Sequence, residues 1–250
     1  MDNNNAEDIV NDFAVYFASQ IDIISKLQTV TQPRQTNFYK KILFATILDS
    51  MSRTVFPNKG NRDRFVEFLK KFSAWKEGNH ISLPHLVQLL KKAPDPSFEK
   101  LRRYANLQID KWGSSEIILL NRDPSFEEIR KLWPSNNEHR FALGKVELES
   151  LQHWHLAYTY RNGLVHEFRT PGRGPEIREE GLPYYISVIV DNQDTEIDKC
   201  AQTWELIYTH TFFQNLCTSV LENLTQYLKA NRINPFSFYE LGTYWISDLN

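Results

Sequence analysis

Apolar side chains recur at three- and four-residue spacing through most of the chain, the mark of helices that each bury one stripe. Residues 6 to 28 carry Ile9, Phe13, Tyr16, Phe17, Ile21, Ile24 and Leu27 on such a stripe, and Gln32-Pro33 breaks it. From Asn37 to Val55 the apolar residues Phe38, Ile42, Leu43, Phe44, Ile47, Leu48 and Met51 cover nearly the whole circumference, which predicts a central core helix. Phe56-Pro57-Asn58-Lys59-Gly60 ends it, and Asn61 to Trp75 reads as a third helix. From Lys76 to Asn137 the helical patterns are shorter, at Leu83 to Lys92, Phe98 to Trp112 and Phe126 to Trp133, as in an insertion packed on a core.

A long helix is predicted within Phe141 to Arg169, starting near Val146 and stopped by Thr170-Pro171-Gly172-Arg173-Gly174-Pro175. Tyr184 to Val190 is aromatic and β-branched enough for a strand, with a turn at Asp191-Asn192 and a partner strand around Thr195 to Ile197. Ala201 to Leu228 returns to helical spacing, and the aromatic tail Tyr239 to Trp245 is expected to dock. The pattern predicts a mainly α protein, one domain over residues 1–250, with core helices at 6–75 and 141–230, an insertion at 76–137, and a small β-hairpin or strand pair. The string Asp-Pro-Ser-Phe-Glu occurs at Asp95 to Glu99 and again at Asp123 to Glu127, and an Asp cap before a first-turn Pro accounts for both copies.

Composition narrows the class. With 41% hydrophobic residues the chain can bury a large core, and a net charge of −2 leaves no whole-molecule field to draw it onto nucleic acid. Any RNA affinity has to be local. Cys200 and Cys217 fall in one predicted helical stretch, roughly 26 Å apart along its axis, which excludes a disulfide if that helix is continuous. The amino terminus is polar and acidic where a signal peptide is basic and then apolar, and runs such as Ile42 to Leu48 fall far short of a membrane span. A soluble, cytoplasmic protein is expected, in which Asn223-Leu224-Thr225 has no meaning as a glycosylation string.

The chemistry concentrates in Tyr160-Arg161-Asn162-Gly163-Leu164-Val165-His166-Glu167-Phe168-Arg169. Residues four apart on a helix are offset by about 40°, so Asn162 and His166 share a face with His155 and Tyr158, above Arg169, while Arg161 lies about 140° from His166. On this geometry Arg161 and His166 do not share a face, and Arg161 must reach around the helix or act across a subunit boundary. Gly163 in mid-helix costs about 1 kcal/mol relative to Ala, which close approach of another backbone, from a partner helix or RNA, would explain. His153, His155 and His166 lack the carboxylate or cysteine spacing of a metal site, so no metal or cofactor is expected.

Arg161-Asn162-Gly163-Leu164-Val165-His166 resembles the Arg-x4-His signature of the HEPN superfamily, in its Arg-Asn-x-x-x-His form. The spacing alone arises by chance in roughly one chain in four at this length, and the adjacent Asn lowers that rate about twentyfold. The resemblance implies an up-and-down helical bundle and a metal-independent endoribonuclease, with catalytic residues Arg161, Asn162 and His166 and no cofactor. The implied substrate is single-stranded RNA, cut by 2′-OH attack to give 2′,3′-cyclic phosphate and 5′-OH ends. His166 would transfer protons, Arg161 would clamp the phosphate, and Asn162 would orient the imidazole or bind the phosphate. A homodimer with a composite site, an antitoxin or regulatory partner, and a toxin or antiphage setting are implied as well. A preceding core helix often adds a polar side chain, a role that Asp49 matches among Ile47, Leu48 and Met51, although Arg53 one turn on offers it a simple structural partner. Tyr158, Arg169 and Arg173 are expected to contact RNA, as are Trp154, Tyr160 and Arg178 if they are not packing or solvated charge. Phe168 stands where many two-gene toxins of the family carry the Tyr that an antitoxin modifies. The alternative implied function is a non-catalytic RNA- or nucleotide-binding or dimeric scaffold module.

Overall fold

The computed structural model describes residues 3–30, 33–93, 95–113, 117–134, 141–143, 146–172, 174–178, 181–190 and 201–238. It is mainly helical with small antiparallel sheets. Two compact units form, Met1–Ala74 with Gln214–Asn250, and Trp75–Phe213. Among the described residues no helix is long and apolar enough to cross a membrane.

The first unit is built from α1 (Asn3–Ser25), α2 (Pro33–Arg53), α3 (Asn61–Phe72) and the greater part of α8 (His210–Asn231). Its core follows the predicted stripes: Val10, Phe13, Phe17, Ile21 and Ile24 of α1 are buried, as are Phe44, Ala45, Ile47, Leu48 and Met51 of α2. From α8 come Leu216, Cys217, Val220, Leu221, Leu224 and Leu228. Asn223 donates from Nδ2 to the Phe72 carbonyl at 2.8 Å and Ser219 from its hydroxyl to the Ser73 carbonyl at 3.0 Å, which satisfies acceptors left over at the end of α3. Asp49 on α2 pairs with the buried Arg64 of α3 at 3.5 Å, and Arg64 also donates to Ser52 at 3.1 Å and Asn61 at 3.0 Å. Arg53, the expected partner one turn on, is exposed.

The second unit holds α4 (Leu83–Lys92), α5 (Glu99–Asp110), α6 (Phe126–Leu132) and α7 (His153–His166). It also holds a sheet of β1 (Ile117–Leu119), β4 (Tyr184–Val190) and β5 (Ala201–Ile207), ordered β1-β4-β5 and antiparallel throughout. A separate pair joins β2 (Phe141–Leu143) to β3 (Val146–Glu147). Alternation along β4 divides its side chains between two apolar clusters: Tyr185 packs with Leu86, Leu90, Phe98, Leu101 and Ile129, while Tyr184 and Ile186 pack with Ile207.

Two predicted boundaries move. Ala201 to Ile207 is a strand, paired along its length with β4 from Tyr184↔Ile207 to Val190↔Ala201, because Thr203, Trp204 and Ile207 suit a pleated surface and helical spacing there was fortuitous. The separation argued for the two cysteines therefore loses its continuous helix; Cys217 is a buried free thiol donating to the Phe44 carbonyl at 3.4 Å, and Cys200 lies outside the described residues. Val146 to Leu151 is β3 followed by a 3-10 turn, so α7 starts only at His153. The partner strand expected at Thr195 to Ile197, the Asp191-Asn192 turn and the Tyr239 to Trp245 tail lie outside the described residues.

The segment His80 to Ser82 threads between two others. The Ile81 N–H donates to the Pro124 carbonyl at 2.9 Å, Ser82 N–H to Leu151 at 3.0 Å, and His153 N–H to His80 at 3.2 Å. That backbone meeting places Asp123 beside His153, where both side chains are wholly buried. Asp123 accepts from the Leu83 N–H through Oδ1 at 2.9 Å, and through Oδ2 from Tyr185 at 2.7 Å and His153 Nε2 at 2.8 Å. His153 Nδ1 lies 3.1 Å from the Tyr208 hydroxyl. The repeated string thus has two outcomes: Asp95 caps its turn, accepting from Ser97 N–H at 2.8 Å, whereas Asp123 turns inward and leaves Ser125 to cap α6. Removing the carboxylate strands every donor at once, so Asp123→Ala should cost about 3–5 kcal/mol in urea unfolding, against about 1–3 kcal/mol for Tyr185→Phe.

Candidate functional site

The motif occupies the last turns of α7, where the structure brings three of the expected residues together. Arg161 Nη1 lies 2.8 Å from His166 Nε2 and donates to Asn162 Oδ1 at 3.0 Å. Of the two ways left open for Arg161, the structure takes the first: the two residues are offset on the helix, but the long Arg side chain reaches around its surface and meets His166 at the terminus. A guanidinium can only donate, so His166 Nε2 accepts, and the neutral imidazole that results carries its proton on Nδ1. His166 is exposed, Asn162 is half-buried, and Arg161 is only 6% exposed.

Gly163 has a reason inside this chain. A Cβ there would lie 2.9 Å from Pro171 Cγ, 3.1 Å from Pro171 Cδ and 3.3 Å from the Arg169 carbonyl oxygen, so the close neighbour is the loop that follows α7. Phe168 turns that loop at φ 52°, and Arg169 N–H returns to the Gly163 carbonyl at 3.1 Å. Arg169 is exposed and pairs with Glu167. Tyr158 is half-buried on α7, and Arg173 lies outside the described residues. Tyr160 is core, 5.2 Å from the Tyr208 ring and 6.0 Å from Phe213, while the Trp154 indole packs against Gly78. Asp49 lies in the first unit with Arg64 on its carboxylate.

A cleft of about 1190 Å³ opens elsewhere in the second unit. Its walls are α4, the end of α5, the Leu156, Thr159 and Tyr160 face of α7, and β5 from Thr203 to Leu206, with Pro171 and Gly172 beside them. His85 stands in that wall, and a hydrogen-bonded chain fixes its tautomer. The Tyr185 hydroxyl is 2.7 Å from Asp123 Oδ2 and 2.8 Å from Ser82 Oγ, and Ser82 Oγ is 2.7 Å from His85 Nδ1. Burial, and then Asp123, push the Tyr185 pKa well above its ordinary value, so the phenol keeps its single proton. A carboxylate accepts only, so that proton goes to Asp123 and the Ser82 hydroxyl donates to Tyr185. His85 must then donate from Nδ1, which leaves the Nε2 lone pair without a partner among the described residues. Surrounding protein and the nearby His153, opposed by Asp123, push the His85 pKa down to about 4, although the side chain as a whole is exposed to the cleft.

Neither His85 nor Asp123 was singled out from the sequence. A histidine on a short amphipathic helix carries no pattern, and the second Asp-Pro-Ser-Phe-Glu copy reads like the first. No family model matches this chain, nor does any curated protein or solved structure.

Two measurements follow. Gly163→Ala gains helix propensity but drives a methyl into Pro171 and a carbonyl, so thermal unfolding should show a net loss of about 1–2 kcal/mol; a gain of stability means the loop yields freely. In imidazole NMR titrations His85 should hold its proton on Nδ1 and take the second near pH 4. An unfolded imidazole protonates near 6.5, so between these values the unfolded chain binds more protons, and the His85 contribution lowers stability as pH falls through that window. His85→Gln should flatten that part of the profile.

Proposed function

We propose that this chain is a metal-independent endoribonuclease of the HEPN type, cutting single-stranded RNA as a homodimer. The single observation that carries the reading is the 2.8 Å contact between Arg161 and His166, with Asn162 on the same guanidinium. In that arrangement an incoming phosphate competes for Arg161, since charge-assisted hydrogen bonds to an anion are stronger than one to a neutral imidazole. Withdrawal of the guanidinium frees His166 Nε2 to take the 2′-OH proton. The 2′ oxygen then bonds to phosphorus, the bond from phosphorus to the 5′ oxygen breaks, and that oxygen leaves with a proton from the protonated His166 of a second copy. The products are a 2′,3′-cyclic phosphate and a 5′-OH, with Arg161 offsetting charge on the phosphoryl oxygens and Asn162 holding the guanidinium in line. Tyr158, Arg169 and Arg173 would extend RNA contact from the same helix and its loop. A toxin or antiphage role, with an antitoxin or regulator as partner, fits such an activity.

One observation favours a second reading. Arg161 is 6% exposed and its Nη1 is already engaged by Asn162 and His166 of its own helix, as in a structural polar cluster that serves a non-catalytic RNA-binding or dimeric scaffold module. Incubation of purified protein with single-stranded RNA in chelator separates the two. Cleavage should fall by about 10²–10⁴-fold in His166→Ala and by about 10²–10³-fold in Arg161→Ala. RNA binding without products in the unaltered protein establishes the scaffold instead, and equal cleavage by both variants sinks the ribonuclease.

A further inference from the structure

The cleft of the second unit has a chemistry independent of the motif. On one wall Lys91 and Lys92 end α4, both exposed, with no hydrogen bond or ion pair to either among the described residues. Acceptors line it too: the carboxylates of Asp110 and Glu205, and His85 Nε2, on the same helix as the lysines, with its Nδ1 held by the Ser82, Tyr185 and Asp123 chain. Trp204 adds a half-buried indole, on the opposite face of β5 from Glu205 and set by a 5.2 Å edge contact with Trp112. Cations, an aromatic side chain and acceptors around one concavity are the marks of a ligand site.

We propose that this cleft binds a small ligand that carries an anionic group at one end and N–H donors at the other. The anion lies against Lys91 and Lys92, and the donors reach His85 Nε2 and the carboxylates of Glu205 and Asp110. Each feature excludes something. A ligand without N–H donors leaves two carboxylates and a bare imidazole nitrogen desolvated, and one without an anion leaves the lysines unanswered. His85 discriminates sharply, because its tautomer cannot switch without turning the Ser82 hydroxyl and breaking the donation to Tyr185. This proposal does not rest on the ribonuclease reading, and its test reads binding rather than cleavage.

Two sources share that chemistry, a nucleotide with its phosphate and base N–H groups, and a short peptide with its carboxylate and ammonium. Titration calorimetry of the full chain with GMP and with triglycine tells them apart. At least one should bind with a Kd below about 1 mM, weakened about tenfold or more by the double change Lys91→Glu and Lys92→Glu, and likewise by His85→Phe, which keeps a ring but removes the lone pair. Lys100→Glu, an exposed reversal on α5 that does not line the cleft, should leave the Kd unchanged. Binding by neither probe overturns the proposal. So does binding that survives either cleft variant, or that falls equally with Lys100→Glu, since the attraction is then general charge.

Discussion

A carboxylate cut off from water must find donors for both oxygens, and Asp123 draws them from three separate segments: the first turn of α4, the first residue of α7 and the start of β4. Every one of those donors is itself buried, so none has water to fall back on. The interaction therefore acts less as a single strong bond than as a constraint on where three elements start. His153 opens α7, and its ring cannot leave Asp123 without the helix start moving with it. Tyr185 sits inside the larger apolar cluster with Phe98 and Trp112, so β4 is held in register by packing and hydrogen bonding at the same residue. The position of the motif, thirteen residues further along α7 at its far end, inherits that anchoring.

At the far end of α7 the governing effect is competition for one lone pair. His166 Nε2 cannot both accept from Arg161 and take a proton from a substrate. Here the guanidinium holds it: Arg161 is buried, and the exposed imidazole meets it at 2.8 Å. An anion that offers two oxygens changes the balance, since a fork of N–H groups fits it better than it fits a ring nitrogen. Burial of Arg161 cuts both ways: it strengthens the charge for a phosphate that arrives, and it makes arrival harder.

Much of the fold could be read from spacing. The stripes of α1 and α2 are buried where the three- and four-residue pattern put them, and β4 matches its predicted residues. What failed failed for local reasons. Ala201 to Ile207 carries apolar residues at intervals compatible with either period, and only pairing with β4 across the chain decides for the strand. Gly163 correctly signalled a close backbone, but the nearest one is Arg169, in the same chain, in a loop whose reversal depends on Phe168 holding a left-handed φ that aromatic residues seldom adopt. For Arg161 and His166 the helix geometry left two arrangements open, a reach around the helix or a site shared with a second subunit, and only the path of the Arg side chain decides for the first. Asp123 was hidden by its own context: an Asp before Pro and Ser has a sufficient local explanation, and burial is set by the distant segments His80 to Ser82 and Leu151 to His153.

The cleft and the motif are built on one helix and share one loop, which ties them mechanically. Pro171 rests on Gly163 on the motif side and lines the cleft on the other. Its neighbour Gly172, at φ 82°, passes so near Glu205 that a Cβ would meet Oε2 at 2.5 Å. A glycine suits the left-handed backbone angle there, while the Glu205 carboxylate, at the end of a flexible side chain, could shift to make room. The loop is bonded back to the helix by Arg169 N–H on the Gly163 carbonyl, and Phe168 holds it in a conformation costing about 1–2 kcal/mol. The same short loop therefore borders both the cleft and the turn that carries Asn162 and His166.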